Sequence, residues 1–460
     1  MISMLASQIA NVMNGKLVSD GDFEVAGDFQ FDSRVIKSGE VFLALRGENA
    51  DGIDFAEDAF ARGAILAIVD REIPGTHILV KDVLTSVSIL ASELRKKLPD
   101  LKVVGITGSQ GKTTTKDMLH TVLASAGNTI APIGSYNNDI GVPITLLRCT
   151  PDTKFCILEM GARHMGDIGK LTQIGLPDVG IVLKVGVAHL GEFGSRENIA
   201  KTKSELIRGL REGATAVLGD FDEFTPKMAD GLNLKKYLFG LSNGDDFRAA
   251  DIEVKGGFAT FDLVTPESRE HVELQVLGEH QIPNALAAAA GAFALGLSTT
   301  QIANALSSHR SPSRWRMDLK KISDITVIND TYNANPESMR AALKTLSLLT
   351  QESGGISWAF LGKMHELGPQ EAEMHKDIAT VAEQLGIDHL VAIGEPNYMA
   401  SSASGKTSSH FVTDLQSAKD FFKEINSGDA VLIKASRAEK LDQLAEDLYL
   451  ELNSREIKEL

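Results

Sequence analysis

The segment Lys102–Thr114, with the sequence KVVGITGSQGKTT, constrains the fold of this chain more than any other. An apolar, β-branched run enters a loop of small residues, which ends in Gly111-Lys112-Thr113 and opens a helical pattern. Glycines let backbone N–H groups turn toward a polyphosphate, and the first turn of the helix offers the positive end of its dipole. The pattern predicts a strand, a phosphate-binding loop and a helix, and therefore an ATP site. A plain glycine turn between strand and helix is the alternative.

The loop supplies most of the predicted ATP contacts. Lys112 provides a point charge for the outer phosphates, and the Thr113 hydroxyl is placed to bind Mg²⁺. Position 106, where the strict pattern has its first glycine, is isoleucine, so the loop is a variant. Its predicted ATP-binding residues are Gly108, Ser109, Gln110, Gly111, Lys112, Thr113 and Thr114.

The composition excludes several classes of protein. At 460 residues the chain is too long for one hydrophobic core, so two or three domains are expected. Its net charge of −16 argues against a nucleic-acid partner, because binding along a phosphate backbone needs a basic surface. Cys149 and Cys156 lack metal-like spacing and indicate buried free thiols in a reducing cytosol. The sequence contains no signal-peptide pattern and no membrane-spanning run, which predicts a cytoplasmic protein without a membrane partner.

Alternating strand and helix patterns predict an α/β fold of three domains. Residues 1–98 form a small N-terminal α/β unit. Residues 99–312 contain apolar runs separated by helices, which predicts a central P-loop domain with a buried parallel sheet. Within it, residues 251–277 alternate between apolar and polar and predict an antiparallel hairpin. After a hinge at residues 311–313, residues 313–460 predict a C-terminal Rossmann-like, doubly wound domain.

Two polar residues follow predicted strands of the central domain. Glu159 ends the strand Phe155–Glu159, and His189 follows the strand Val179–Val185. Ligands of open parallel sheets collect beyond the carboxyl ends of the strands. If these strands neighbour the first one, both residues converge on Mg²⁺ at the phosphate loop. Each is also compatible with another role, Glu159 as a surface carboxylate and His189 as a structural histidine.

Other hydrogen-bonding and cationic residues cluster at predicted strand and helix ends. Such clusters occur in the segments Asn137–Pro143, Asp330–Pro336 and Lys434–Arg437. An Asx-rich turn before a helix is an alternative for the first segment. Arg316 follows Trp315 just after the hinge, where it contacts either a nucleotide or simply the indole. The shared position at strand ends predicts a cleft between domains.

Together these residues resemble the Mur ligases, the ATP-dependent amide-forming enzymes of bacterial cell-wall precursor synthesis. The resemblance covers nearly the whole chain, and the family motifs occur in order. They are Thr107-Gly108-x-x-Gly111-Lys112-Thr113, Glu159-Met160-Gly161-Ala162, Ala188-His189-Leu190, Gly278-x-His280 to Asn284-Ala285, Arg316 and Lys434-Ala435-Ser436-Arg437. Asn137–Pro143, Asp330–Pro336 and Glu366-Leu367-Gly368 point to the member that acts last, on a UDP-N-acetylmuramoyl-tripeptide. The Asp-Asn-Pro-Arg motif of the diaminopimelate-adding ligases is absent from the sequence.

The resemblance implies a role for each candidate site residue. The uridine diphosphate end of the precursor would contact Ser33, Arg34, Arg46 and Gly47. Further substrate contacts would come from Asn137, Asn138, Asn333 and Asn335. Asn284 and Asp330 would meet adenine and ribose, and Arg316 the phosphate chain. The implied Mg²⁺ ligands are Thr113, Glu159, His189 and Lys203, and the implied catalytic residues are Lys112, Glu159, His189 and Lys203.

Lys203 matches the position of a carbamylated lysine in the family. A plain lysine is cationic near neutral pH and would repel Mg²⁺, whereas a carbamate is an anionic oxygen ligand. Composition alone favours the alternative, two solvated helix lysines at positions 201 and 203. The chain departs from the usual family residues at Ile53, Lys184, Gln281, Lys363 and Ala435.

The implied reaction joins D-alanyl-D-alanine to the terminal carboxylate of the tripeptide through an acyl phosphate, with ATP and Mg²⁺ as cofactors. Because an acyl phosphate hydrolyses in water, the domains should close before the chemistry. We expect a monomer that binds only small molecules. A kinase, a nucleotide-dependent switch protein and a sibling ligase that adds a single amino acid are the alternatives.

Overall fold

The computed structural model describes residues 1–47, 50–187, 190–399 and 407–459. Strands and helices alternate through three consecutive α/β regions, each built on its own main sheet, which confirms the predicted three-domain α/β class. The boundaries at 98/99 and 312/313 stay predictions, and we use them to name the N-terminal, central and C-terminal domains. Within the described ranges, none of the helices combines the length and the apolar character needed to cross a membrane.

The N-terminal domain has a five-stranded sheet in the order β2-β7-β6-β5-β4, and a separate antiparallel pair, β1-β3. Its elements are β1 (Met4–Leu5), α1 (Ala6–Val12), β2 (Lys16–Val18), β3 (Glu24–Val25), β4 (Phe29–Gln30), β5 (Val41–Leu43), α2 (Ala56–Ala61), β6 (Leu66–Val69), β7 (His77–Leu79) and α3 (Val83–Lys96). The side chain of Asp82 accepts a hydrogen bond from the Thr85 N–H and begins α3. The apolar stripe of α3 is buried against the central domain.

The central domain has a nine-stranded sheet in the order β16-β15-β14-β13-β12-β11-β8-β10-β9. Its elements are β8 (Lys102–Thr107), α4 (Lys112–Ala124), β9 (Thr129–Ile130), α5 (Gly141–Leu147), β10 (Phe155–Glu159), α6 (Asp167–Gly175), β11 (Val179–Val182), α7 (Leu190–Phe193), α8 (Arg196–Arg208), β12 (Thr215–Gly219), β13 (Lys235–Gly240), β14 (Phe247–Lys255), β15 (Phe258–Val264), β16 (Arg269–Leu277), α9 (Ile282–Ala294) and α10 (Thr299–Ser308). Strand β8 lies between β10 and β11 and is parallel to both, so the condition set for the convergence of Glu159 and His189, that their strands neighbour β8, is met.

Two predictions for this sheet need correction. The hairpin is a three-stranded antiparallel meander, β14-β15-β16, because β16 continues the pairing. Strand β11 ends at Val182, three residues before the predicted end. Beyond Val182, the N–H of Leu183 still donates to the carbonyl of Thr107, and the carbonyl of Lys184 accepts from the N–H of Ser109. The segment after β11 therefore supports the phosphate loop.

Helices cover both faces of the central sheet. One face packs under α3, α5, α6 and α8 and shares a single apolar core with the N-terminal domain. The other face packs under α4, α9 and α10. All the alanines of α9 except Ala294 are fully buried, and their small side chains allow that helix to lie close to the strands.

The C-terminal domain has a six-stranded sheet in the order β17-β18-β22-β19-β20-β21, with only β17 antiparallel to its neighbour. Its elements are β17 (Asp318–Ile322), β18 (Ile325–Asp330), α11 (Pro336–Ser353), β19 (Ser357–Leu361), α12 (Glu371–Gln384), β20 (His389–Ile393), β21 (Ser408–Val412), α13 (Leu415–Ala418), β22 (Ala430–Lys434) and α14 (Asp442–Glu459). Separate apolar clusters cover its two faces, as expected of a doubly wound domain.

Candidate functional site

The loop between β8 and α4 has the geometry of a phosphate cradle. Gly111 has a φ of +80°, and a Cβ there would lie 2.2 Å from the Asn284 side-chain oxygen, so the position requires glycine. The Lys112 ammonium donates to the carbonyl of Gly108, at the other end of the loop, at 2.8 Å. Burial lowers the pKa of Lys112, and the charge of Glu159 partly opposes this effect. The terminal nitrogen of Lys112 thus lies inside the loop.

Glu159 faces the loop from the end of the neighbouring strand β10. Its Oε1 accepts from the Thr113 hydroxyl at 3.3 Å and from the Asn137 amide at 2.9 Å. Its Oε2 is buried and has no hydrogen-bond partner among the described residues. A buried carboxylate oxygen without a partner is costly in a folded protein, and a cation is the ligand that would satisfy it.

Lys203 approaches the same cluster from α8. Its side chain is buried, and no hydrogen bond of its ammonium group occurs within the described ranges. The pKa of Lys203 is well below its ordinary value, first because of burial and second because of the nearby positive charge of Lys112. The charged form of the Lys203 amine is therefore less favoured here than in water.

Arg316 reaches the loop from the C-terminal side of the hinge. Its Nη2 donates to the Thr113 hydroxyl at 3.1 Å and to Ser135 at 3.4 Å, while the guanidinium lies 3.9 Å above the ring of Tyr332. The residues on either side of it, Trp315 and Met317, have left-handed φ angles of 62° and 53°. Such backbone is rare outside glycine and is retained where the surroundings impose it, so the segment is built to present Arg316.

A second group of polar residues lines the cleft farther along the C-terminal domain. Lys434, at the end of β22, donates to Asp330 at 2.5 Å and to the Asn333 carbonyl at 2.8 Å. On the facing side, burial lowers the pKa of His280 to about 4, so its imidazole is neutral at physiological pH. The Asn284 amide donates to Gln281 at 2.8 Å. These residues form a largely neutral pocket beside the phosphate loop.

Other predicted contacts are partly engaged in local structure. Asn138 makes the Asx turn that was the alternative for its segment, since its side chain accepts from the N–H groups of Ile140 and Gly141. Asn335 caps α11 by accepting from the Ser338 N–H. The side chain of Asn333 accepts from the N–H of Ala334. All three asparagines nevertheless line the cleft.

The predicted residues of the N-terminal domain lie away from this cleft. Arg34 pairs with Asp32 and its side chain is 81% exposed, and Arg46 pairs with Asp70. Ser33, Arg34, Arg46 and Gly47 are all absent from the cleft lining, to which the N-terminal domain contributes α3 instead. Their role at the uridine diphosphate end stays a prediction. His189 lies outside the described residues.

Sequence reasoning missed Glu337, which joins the C-terminal domain to the phosphate loop. Its carboxylate accepts from the Gln110 side chain and lies 3.0 Å from the ammonium of Lys184. Lys184 is one of the departures from the family pattern, and this ion pair gives it a partner across the domain interface. Glu337 is the second residue of α11, in the first turn of a helix that follows a strand of a parallel sheet. Side chains in that turn lie beyond the carboxyl ends of the strands, so this position was the signal in the sequence.

Sequence reasoning also missed a buried ion pair on α4. Lys116 lies 2.8 Å from Asp117, and both side chains are 4% exposed. Lys116 donates to the Gly134 carbonyl, next to Ser135, at 2.9 Å, and Ser313 in the hinge donates to Asp117 at 2.5 Å. The pair fixes the hinge and the Ser135 loop to the phosphate-loop helix. Two adjacent charges inside a buried helix pattern were its signal in the sequence.

Replacing Asp117 with alanine should lower the free energy of unfolding by about 3 kcal/mol, because Lys116 would stay buried without a counter-charge. Urea denaturation followed by circular dichroism measures the loss. Ser313→Ala is the matched control, since it removes one hydrogen bond and no charge, and we expect it to cost about 1 kcal/mol. Equal losses in the two variants would contradict a structural role for the ion pair.

The phosphate loop, Glu159, Lys203, Arg316 and the polar group around Lys434 line one cleft of about 1,490 Å³, bounded by all three domains. Fold and cleft together define a three-domain α/β protein with a phosphate-binding loop at an interdomain cleft. Three family models match successive parts of the chain: "Mur ligase family, catalytic domain" at residues 29–107, "Mur ligase middle domain" at 106–292 and "Mur ligase, glutamate ligase domain" at 315–437. The chain belongs to the Mur ligase family.

Individual relatives match over almost the full chain. The UDP-N-acetylmuramoyl-tripeptide–D-alanyl-D-alanine ligase of Mycobacterium tuberculosis is 37% identical, covering 97% of this chain and 98% of its own. The structure of UDP-N-acetylmuramoylalanyl-D-glutamyl-2,6-diaminopimelate–D-alanyl-D-alanyl ligase from Acinetobacter baumannii superposes with a TM-score of 0.84 at 32% identity, covering 96% and 98%. The MurF ligase of Thermotoga maritima, solved in complex with ADP, superposes with a TM-score of 0.78 at 29% identity, covering 94% and 99%.

Proposed function

We propose that this protein joins D-alanyl-D-alanine to the terminal carboxylate of a UDP-N-acetylmuramoyl-tripeptide at the expense of ATP. One observation carries the proposal: the phosphate loop of the central domain, α3 of the N-terminal domain and Arg316 of the C-terminal domain border the same cleft. A phosphoryl donor and a carboxylate acceptor can therefore meet there. The named activities of the matching relatives point the same way.

The reaction needs activation of a poor electrophile. A carboxylate resists attack by an amine because its charge is delocalised and oxide is its leaving group. In the first step a carboxylate oxygen bonds to the γ-phosphorus, the bond to the ADP oxygen breaks, and an acyl phosphate forms. In the second step the amine attacks the acyl carbon, the tetrahedral intermediate expels phosphate, and the nitrogen loses a proton. The product is an amide.

Side chains at the loop supply the charge that the first step requires. Lys112 would exchange its contact with the Gly108 carbonyl for the β- and γ-phosphates of ATP. Arg316, which lies at the Thr113 hydroxyl, would contact the phosphate chain from the C-terminal domain. Both cations would stabilise negative charge that grows on the transferred group and on the ADP oxygen. Because Arg316 comes from another domain, its contribution depends on how that domain packs against the central one.

The donor set at the loop fits a Mg²⁺ ion. The buried, unpartnered Oε2 of Glu159 and the Thr113 hydroxyl would hold it, with His189 as a further predicted ligand. When bound, the ion would neutralise charge on the phosphates. Lys203 would add an anionic ligand as a carbamate: its uncharged amine bonds to the carbon of CO₂, and a proton is lost from the nitrogen. The lowered pKa of Lys203 supports this step, because only the uncharged amine reacts.

The remaining predicted contacts divide between the two substrates. Asn284 and Asp330 would meet adenine and ribose in the neutral pocket beside His280. Asn137 and Asn138 would contact substrate near Glu159, and Asn333 and Asn335 from the C-terminal domain. A monomeric state and a cytoplasmic location remain predictions from the sequence.

An assay of ADP formation tests the proposal. With ATP, Mg²⁺ and UDP-N-acetylmuramoyl-tripeptide, ADP should accumulate rapidly only when D-alanyl-D-alanine is added, because each turnover consumes the amine. Single amino acids and an assay without acceptor are the matched controls. Mass spectrometry of the product should show the dipeptide joined to the precursor.

The same assay separates the alternatives. A kinase would give a stable phosphorylated product without an amine, and a nucleotide-dependent switch protein would release ADP at a rate independent of the acceptor. A sibling ligase would accept a single amino acid in place of the dipeptide. Any of these three outcomes would overturn the proposed reaction.

A further inference from the structure

The cleft extends past the phosphate loop into a lobe where α3 of the N-terminal domain meets α6 of the central domain. We call this region the α3–α6 lobe. Its polar side chains include Ser88, Ser92, Arg163, Lys170 and Gln173, with Leu84 and Ile89 as apolar neighbours. Ser88 and Ser92 are four residues apart and share one face of α3. The lobe is thus a polar surface on the path from the reacting centre to the N-terminal domain.

These five polar side chains differ from those around the phosphate loop. Within the described ranges no hydrogen bond or ion pair involves the side chains of Ser88, Ser92, Arg163, Lys170 or Gln173. At the loop, by contrast, Thr113, Glu159 and Arg316 already contact one another or their neighbours. Hydroxyl, amide and cationic groups gathered in one lobe without protein partners are available to a polar, anionic ligand.

Two nearby acids leave the cations without partners. Asp167 accepts from the backbone N–H groups of Arg163 at 3.1 Å and His164 at 2.8 Å. Glu205 accepts from the backbone N–H groups of Gly166 at 2.7 Å and Gly169 at 2.9 Å. Both carboxylates are thus occupied by main-chain donors that shape the loop before α6. Arg163 and Lys170 therefore leave two positive charges at the edge of the cleft, where an anionic ligand can reach them.

We propose that the α3–α6 lobe binds a carboxylate of the tripeptide other than the one that is activated, with Arg163 and Lys170 as its counter-charges. Ser88, Ser92 and Gln173 would donate or accept the remaining hydrogen bonds. This inference rests on the proposed function, since the tripeptide must be the substrate. It assigns a subsite for the stem peptide of the precursor.

The short sequence separation between Arg163 and Glu159 favours the tripeptide as the ligand of the lobe. The uridine diphosphate lies farther from the reacting carboxylate of the precursor. Arg163 follows Glu159 by four residues, so their Cα atoms are at most about 14 Å apart, and a tripeptide spans at most about 11 Å. The Acinetobacter baumannii ligase is named for an alanyl-D-glutamyl-2,6-diaminopimelate peptide. Glutamate and diaminopimelate each carry a carboxylate beyond the one that reacts. A lysine in the third position would bring an ammonium group, which Arg163 and Lys170 repel.

The test is the double variant Arg163→Ala/Lys170→Ala, assayed with precursors that contain either lysine or diaminopimelate. We expect KM for the precursor to rise about tenfold, because two charge-assisted contacts are lost. KM for ATP, KM for the dipeptide and kcat should stay within about twofold. Lys201→Ala/Arg208→Ala, on the exposed face of α8, is the matched control and should change none of these values.

The two precursors identify which carboxylate binds. A rise with both precursors assigns the glutamyl carboxylate, and a rise confined to the diaminopimelate precursor assigns that of the third residue. The charge-conserving variant Arg163→Lys/Lys170→Arg should recover most of the lost affinity. Thermal unfolding of all variants checks that they fold, since every replaced residue is exposed.

Three results would overturn the subsite. The first is an unchanged KM of the double variant for both precursors. The second is a rise in its KM for ATP as large as the rise for the precursor. The third is a matching loss of inhibition when free UDP is added as a competitor, which would place the diphosphate in the lobe. The wild-type assay separates this failure from that of the proposed function. If the wild-type protein forms the amide while the double variant is unaffected, only the subsite is wrong.

Discussion

Replacing Lys112 with alanine is expected to lower kcat for ADP formation by about 10⁴-fold, or about 5.4 kcal/mol of transition-state stabilisation. Lys112 lies inside the phosphate loop, and its ammonium already points at a loop carbonyl 2.8 Å away. A cation held in place before the substrate arrives needs little reorganisation during phosphoryl transfer. Alanine removes that cation together with its contact to the Gly108 carbonyl. Steady-state ADP release in the presence of both substrates measures the effect.

Lys102→Ala is the control for this variant, because Lys102 is exposed at the other end of the same strand. It should retain the wild-type rate. Circular dichroism should show that both variants fold. Addition of ATP should raise the melting temperature of the wild type and of Lys102→Ala more than that of Lys112→Ala. A Lys112→Ala protein with a near-normal rate would refute phosphate binding by this loop.

Replacing Lys203 with alanine is expected to lower kcat by about 10³-fold, and added bicarbonate should not restore it. The reason is the loss of the side chain that would become an anionic ligand beside Glu159. A direct measurement accompanies the kinetics. Wild-type protein equilibrated with ¹³C-labelled bicarbonate should show a carbamate carbonyl resonance by NMR, and Lys203→Ala should lack it.

Lys201→Ala provides the comparison, since Lys201 is exposed on the same helix, two residues earlier. This variant should keep both the activity and the resonance. Because burial and Lys112 keep the pKa of Lys203 well below its ordinary value, carbamate formation should not require alkaline conditions. Full activity of Lys203→Ala, or a resonance that survives the substitution, would remove the carbamate from the mechanism.

Much of the central site could be predicted from sequence because its determinants are local. The Lys102–Thr114 segment specifies strand, loop and helix in one continuous run. Glu159 could be placed because an apolar strand that ends in an acid has few alternatives in a parallel sheet. The same strand-end rule located Asp330 and Lys434, which the parallel register of β18 and β22 brings side by side. For Asn138 the local pattern could not decide between a substrate contact and an Asx turn, and in the structure its side chain makes the turn.

Contacts across domains could not be predicted, because they depend on how separate sheets pack. Glu337 meets Gln110 from more than two hundred residues away, and Ser313 reaches Asp117 over a similar separation. Neither pair has a sequence pattern that links its members. The N-terminal domain behaves in the same way, since α3 reaches the cleft while Arg34 and Arg46 do not. Helical periodicity identifies the buried face of α3 and says nothing about which domain lies beyond its partly exposed face.

The position of Trp315 in the interdomain segment has a practical consequence. The chain has two tryptophans, and they occupy very different surroundings. The Trp315 indole lies 4.1 Å from the Arg437 guanidinium, next to the arginine that touches the phosphate loop, whereas Trp358 is 1% exposed in the core of the C-terminal sheet. We expect a ligand that shifts the interdomain segment to change the emission of Trp315 and to leave that of Trp358 as an internal reference. The native chain thus carries a built-in optical reporter of domain movement that requires no label.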